Sequence, residues 1–377
     1  MRRIAAVVGM GVLLVVSVAC ASSTAAPQAP AAQPAKAVAE PAKPAAQPAQ
    51  PAVQPAKPAA EAPKPATQPV LELKMGCSQP KGDVLCAAQD KFAELVNQKS
   101  KGEVFVRQLY QGLGVEHQLT QAVMSGSVDI GMISNGNSGR FTNAFFNYDL
   151  PFLFKTYDNM LRSLDISIGQ KAIEQYEKDL GVKLLFAISY GSGRDVQTRN
   201  KPLKVPADIK GLKIRVVSTP VDLAIFKAWG ANPTPVDWAQ TYTALQQGVV
   251  EGEQIPMVSI IAPKHYEVVK HSIRLDYQAL FQTFYINQKR FESLSPAHQK
   301  ALLEAAEEAK AWNRRDAMER TQGLVKQLTD LGMTVYQPTP AEYTQWAAVR
   351  YKVWQEVAEQ QKGKVDLAIA KQLYESQ

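Results

Sequence analysis

Leu71-Glu72-Leu73-Lys74-Met75 alternates apolar with charged residues at period two and reads as a strand. The segments that follow it decide the fold. Residues 84–100 place Leu85, Phe92, Leu95 and Val96 on one helical face. Glu103 to Tyr110 reads as a second strand, a helix is expected around 115–126, and Val128-Asp129-Ile130-Gly131-Met132-Ile133 forms a short third strand. A β-α-β-α-β opening of this kind builds a mostly parallel sheet covered by helices.

Toward the C-terminus the pattern resumes with new strands at Val182 to Ser189 and Lys213 to Val217, and a strand-like run from Val249 to Gln254. Helices are expected at about 220–229 and 238–247. Arg274 to Asn287 is rich in β-formers and long enough to bridge two bodies. Residues 296–332 read as one long helical stretch broken near Leu331-Gly332, and 340–377 as mostly helical. The expectation is an α/β protein of two lobes, joined by hinge strands and a long lobe-spanning helix. Lobe I would take 71–192 plus 282–320, and lobe II 193–281 plus 321–377. Ligands of open α/β sheets bind at the carboxyl ends of strands, so the residues just after each strand are the ones to inspect.

Toward the N-terminus the character changes. Met1-Arg2-Arg3 is a short basic region, and Ile4 to Val18 is an apolar run too short for a bilayer span, which needs about 20 residues. Ser17-Val18-Ala19-Cys20 resembles a bacterial lipobox, so 1–20 reads as a lipoprotein signal peptide with Cys20 as the lipidated residue. Ser17 stands where that pattern usually has Leu. Residues 21–70 hold twelve of the chain's 24 prolines among Ala, Gln and Lys and read as a disordered linker. The expected location is therefore outside the cytoplasmic membrane, tethered through Cys20.

The net charge of +7 is uneven. Setting aside 1–70 leaves 36 basic and 33 acidic residues, close to balance, and no dense basic run with interleaved aromatics points to nucleic acid. Cys77 and Cys86 are expected as buried free thiols, although Cys77 at a strand end and Cys86 in the first helical turns are placed close enough to pair.

No catalytic constellation stands out. His117, His265, His271 and His298 have no metal-ligand spacing, and His265 and His271 read as surface or packing residues. No nucleophile elbow or phosphate loop is present, so neither metal nor cofactor is expected. Glu251 and Glu253 alternate along a strand-like run and would face the same way, which keeps a cleft hydrolase open as a rival. Cations at strand ends are more telling. Alternation puts Arg215 on the face opposite Ile214 and Val216, at the end of an inner strand. A buried guanidinium there needs an anion, which could be a ligand carboxylate or an internal Asp or Glu. Arg194 follows another strand and can reach the same cleft.

Three blocks carry a family resemblance: Asp208-Ile209-Lys210-Gly211-Leu212-Lys213-Ile214-Arg215-Val216, Gly230-Ala231-Asn232-Pro233-Thr234-Pro235-Val236, and Tyr242-Thr243-Ala244-Leu245-Gln246-Gln247-Gly248-Val249-Val250-Glu251-Gly252. Gly126-Ser127-Val128-Asp129-Ile130-Gly131 and Asp149-Leu150-Pro151-Phe152-Leu153-Phe154 support them. Over about 71–365 the chain resembles the solute-receptor subunit of tripartite ATP-independent periplasmic (TRAP) transporters. The resemblance implies a periplasmic-binding-protein-like (type II) fold and a monomeric receptor that closes on a small mono- or dicarboxylate and delivers it to a membrane permease. A receptor for an ABC importer or a sensor system is the alternative within the same fold.

Position by position, the resemblance implies Arg215 as carboxylate clamp, Arg194 as a second pocket arginine, Trp238 as an aromatic wall or a core residue, and Ser218 as a polar position beyond the clamp. Gln79 and Asn135 lie after the first and third strands, where ligand contacts are common. The family often has Glu-Asn-Pro where this chain has Gln254-Ile255-Pro256. Ile255 thus removes an amide that Gln254 could replace, and with Trp238 it implies a ligand less polar than a sugar acid.

Overall fold

The computed structural model describes residues 70–377; the leader, Cys20 and nearly all of the Pro/Ala tract lie outside the described residues. Two sheets organise the chain. The first runs in the order Val104–Tyr110, Leu71–Cys77, Ile130–Ser134, Phe281–Asn287, Val182–Ser189; its first three strands are parallel, and Phe281–Asn287 is antiparallel to both neighbours. The second runs Thr334–Tyr336, His271–Ile273, Asp195–Thr198, Gly252–Ile255, Lys213–Val216, Asn232–Pro235. Each sheet buries an apolar layer under helices. Phe284 packs edge-on against Phe92 and Phe186, both at 5.1 Å, in the first lobe. Ile214, Val216, Ile225, Phe226 and Leu245 are fully buried in the second. Burial of each such side chain contributes about 1.5–3 kcal/mol.

The chain passes between the sheets at 190–194, at 274–280 and again after the long helix. Within the expected bridging run from Arg274 to Asn287 only Phe281–Asn287 is strand; His271–Ile273 precedes the run in the other sheet, and an irregular crossing joins the two. Side chains take the backbone donors that a ladder would have used. Leu275 and Asp276 donate their N–H groups to Asp195 Oδ1 at 2.7 and 3.0 Å, and Gly193 donates to Asp276 Oδ1 at 2.8 Å.

The long helical stretch also differs. Pro296–Thr321 is capped by Ser295, whose side chain accepts from the His298 N–H, and it packs along the first lobe, where Asn313 bonds the Ser189 backbone. It ends at Gln322-Gly323 rather than near Leu331. Gly323 sits at φ 71°, a left-handed conformation that glycine adopts without steric cost, and the chain restarts as Leu324–Asp330 toward the second sheet. The C-terminal helices fall on both sides of the crossing. Trp346 accepts the Trp229 indole N–H through its carbonyl at 3.0 Å, while the Trp354 indole donates to the Pro151 carbonyl at 2.9 Å.

The free-thiol expectation is overturned. Cys77 and Cys86 form a disulfide, with their Cα atoms 5.9 Å apart. The strand end and the first helical turn face each other across the loop 78–83, which places the two Cβ atoms within bonding reach. Closing a loop this short stabilises by roughly 2–3 kcal/mol in the chain-entropy account. Cys86→Ser is accordingly expected to lower the thermal midpoint by about 5 °C. An unchanged midpoint in an oxidised sample would show that the bond does not brace the fold.

Candidate functional site

The strand Lys213–Val216 lies between Gly252–Ile255 and Asn232–Pro235, so it is an inner strand. Lys213 is exposed, and Arg215 at the other end is 3 % exposed. Arg215 Nε donates to the Val236 carbonyl at 2.9 Å, and its Nη1 has no partner. Burial pushes the guanidinium down to about 10; Glu253 opposes that shift, and Arg194 adds to it. Arg215 therefore remains a cation at neutral pH, desolvated and without an ion-pair partner among the described residues. This arrangement favours an incoming carboxylate, which would supply both charge and acceptors.

Arg194 is equally buried but differently served. Its Nη1 donates to Gln254 Oε1 at 2.6 Å. Burial disfavours its charge, but Asp222, then Tyr277 and Asp149, outweigh burial and hold it above its ordinary value. Asp149 is pushed up to about 8, first by burial and then by Asp222, with Arg194 pulling the other way. Tyr277 Oη donates to the same Gln254 oxygen at 3.1 Å. Arg194 thus has counter-charges that outweigh burial, whereas at Arg215 Glu253, Asp222 and Glu116 offset burial only in part.

Trp238 opens the helix Trp238–Gln246 and spans the cleft. Its indole N–H donates to Gln79 Oε1 at 2.6 Å, and Gln79 sits in the loop after the first strand of the other sheet. The Arg215 guanidinium carbon lies 5.6 Å from the Trp238 ring centre. Gln79, Arg194, Arg215, Trp238 and Ile255 line one partly open hollow of about 400 Å³. Ser218 lines an adjoining hollow that shares Arg215 and Trp238.

Two expected ligand-facing groups fall elsewhere. Asn135 is buried behind the wall, donating to Asp149 Oδ1 and the Ala279 carbonyl and accepting from the Phe281 N–H. The short helix Asn135–Ser138 turns Asn137 toward the hollow instead. Gln254 is fully buried and lies outside the lining, so it cannot stand in for the amide that Ile255 displaces; it acts on Arg194.

The largest omission is Glu116, at the start of the helix Glu116–Met124. Its Oε2 accepts from the Ser134 N–H and Oγ and from Asn137 Nδ2 at 3.0, 2.8 and 2.7 Å, and Oε1 accepts from Gln282 at 2.8 Å. Glu116 lines the same hollow and adds a charged acceptor to a wall that also carries Trp238 and Ile255. An acidic residue opening a helix after Gly112-Leu113-Gly114 was the available sequence signal.

The carboxylate-pair rival does not assemble. Glu251 is exposed and accepts from the Lys213 N–H at 3.0 Å. Glu253 is fully buried and held by His265 Nδ1 at 2.9 Å to both oxygens. Among the described residues, no cluster of three or more His, Cys, Asp or Glu is placed to hold a metal, and no helix is long and apolar enough to cross a membrane.

Residues 75–361 match the family described as bacterial extracellular solute-binding protein, family 7. The 2,3-diketo-L-gulonate-binding periplasmic protein of Escherichia coli is 31 % identical over 70 % of this chain and 80 % of its own length. A TRAP periplasmic solute-binding protein from Shewanella oneidensis with bound succinate superimposes with a TM-score of 0.74 at 25 % identity, over 81 % of this chain and 98 % of that one. Another, from Roseobacter denitrificans with bound β-D-glucuronate, gives 0.72 at 25 % identity, over 80 % and 99 %.

Proposed function

Since the chain belongs to bacterial extracellular solute-binding protein family 7, we propose that it captures a small hydroxylated carboxylic acid between its lobes and presents it to a TRAP-type permease. It is a receptor and not an enzyme, and its place of work is outside the cytoplasm. The observation that carries the ligand class is the buried Arg215, whose Nη1 has no partner, sharing the lining of one hollow with the Glu116 carboxylate. One end takes a carboxylate and the other takes a hydroxyl hydrogen. Arg194 supplies long-range attraction, Trp238 and Ile255 supply an apolar wall, and Gln79, Asn137 and Ser218 supply further polar groups.

Closure follows from where these groups originate. Gln79, Glu116 and Asn137 come from the first lobe, and Arg215, Trp238 and Ile255 from the second. A ligand that touches both sets favours the closed state by its differential affinity alone. A single copy is proposed to suffice as the receptor. The finer reading of the N-terminus is a lipid anchor at Cys20 with 21–70 as a spacer. Labelled palmitate should enter the parent protein in a bacterial host and be absent from Cys20→Ala; equal labelling would sink the anchor.

The ligand class is tested by a thermal-shift screen with D-glucuronate, D-gluconate, succinate and the methyl esters of each. Hydroxylated acids are expected to raise the midpoint most, and fully esterified acids to leave it unchanged. Equal shifts from acids and esters, or no shift from any acid, would refute the reading.

A further inference from the structure

His265 does not line the hollow, yet it is 1 % exposed and occupies a singular place beneath its wall. It opens the short turn His265–Glu267, directly after Lys264 at φ 61°. A lysine in the left-handed region costs about 1 kcal/mol or more, and such strain persists where the surroundings hold the segment in one conformation. The conformation here turns the imidazole inward. Nδ1 is 2.9 Å from both oxygens of Glu253, and a carboxylate only accepts, so the hydrogen resides on Nδ1. The ring plane is thereby fixed. Its centre lies 4.8 Å from the Trp238 ring and 5.9 Å from the Tyr242 ring, one turn further along the same helix. Glu253 sits beside Arg215 in the strand register.

We propose that His265, oriented by Glu253, is a positioning residue for ligand capture. It holds the Trp238 indole in the one orientation from which its N–H crosses the cleft to Gln79 while its ring flanks Arg215. Without the imidazole, Trp238 keeps its backbone position but gains rotamers, and both the inter-lobe bond and the wall beside the clamp become intermittent. The inference rests on the carboxylate-receptor reading only for its effect on affinity; the control of Trp238 stands on the geometry alone.

The test separates the two. In ¹⁵N-labelled protein without ligand, the Trp238 indole resonance is assigned with Trp238→Phe, and its hydrogen exchange with solvent is measured. His265→Gln keeps an amide donor for Glu253 but removes the ring. It is expected to speed indole exchange by about tenfold and to weaken binding of D-glucuronate or succinate by about 2- to 10-fold, the worth of one aromatic pair. Glu253→Leu combined with His265→Phe restores a ring without leaving a buried carboxylate unpaired, and it should return indole exchange to within about twofold of the parent; affinity is not read in this variant, because Glu253 also acts on Arg215. This pair also covers the case in which His265→Gln fails to fold. Unchanged exchange in His265→Gln, or a folded double variant whose indole exchanges as fast as in the single one, overturns the proposal. If exchange responds as expected while the parent binds no acid, the positioning role holds and the ligand reading is the one that fails.

Discussion

Arg215→Ala is expected to weaken capture of a carboxylate by about 100- to 1,000-fold, or 3–4 kcal/mol, as measured by titration calorimetry. The size follows from the desolvated, unpaired guanidinium: an anion meeting it gains charge-assisted hydrogen bonds where water does not compete. The same feature predicts a small effect on the ligand-free protein. Glu253 keeps its bond to His265 and Asp222 keeps Arg194, so the losses are the bond to the Val236 carbonyl, the contact with Trp238 and a partial counter-charge. The apo thermal midpoint should therefore stay within about 3 °C of the parent. Arg215→Lys should not restore affinity, because an ammonium lacks the two-pronged donor face. Near-parental affinity in the alanine variant would remove Arg215 from the clamp.

Arg194→Met should behave in the opposite way, with a large loss of stability. Arg194 compensates Asp222 and Asp149, both buried, and both carboxyls are already raised by burial. Taking away the cation leaves Asp222 and Asp149 without their counter-charge wherever they are ionised, at a cost that reaches about 3–5 kcal/mol above about pH 8. The pH dependence fixes the sign. A carboxyl whose folded value is raised binds protons on folding, so its stabilising contribution is complete below the unfolded value near 4 and is lost as pH rises through the folded one. For Asp149 in the parent that window runs from about 4 to about 8. Without Arg194 the folded values rise further, so the variant's deficit should be smallest near pH 5 and grow toward about pH 9, as the parent's carboxyls ionise. Denaturant melts across that range check it; a deficit independent of pH would mean that charge compensation is not the role of Arg194.

The legibility of the sequence varied with the range of the interactions involved. Val182–Ser189 was readable to the residue, because a continuous buried strand bounded by Gly181 is a local pattern. Alternation marked Arg215 as a cation at a strand end, but its proposed clamping role came from the family resemblance, since alternation alone left an internal acid equally open as its partner. The break at 274–280 was not readable, since it depends on Asp195 capturing backbone donors some 80 positions away. The choice between Asn135 and Asn137 turned on four residues of helix that reverse which amide faces the cleft. His265 gave no local sign, because its partners Glu253 and Trp238 are brought to it by the sheet and by a strained turn. Glu116 had a sign, an acid opening a helix after glycines, that was open to a simpler reading as a favourable charge near a helix N-terminus.

The bond between Cys77 and Cys86 braces the loop that carries Gln79, and thiols stay reduced in the cytosol. At this loop a newly made chain still inside the cell therefore differs from the one outside: its cysteine pair carries two more hydrogens, and the lip of its cleft is untethered. Export and competence are linked in time, since the chain acquires its finished grip only on reaching the compartment where its ligand is to be found. Thiol labelling of the precursor held in the cytoplasm, compared with the exported form, reads that change directly; equal labelling of both would break the link.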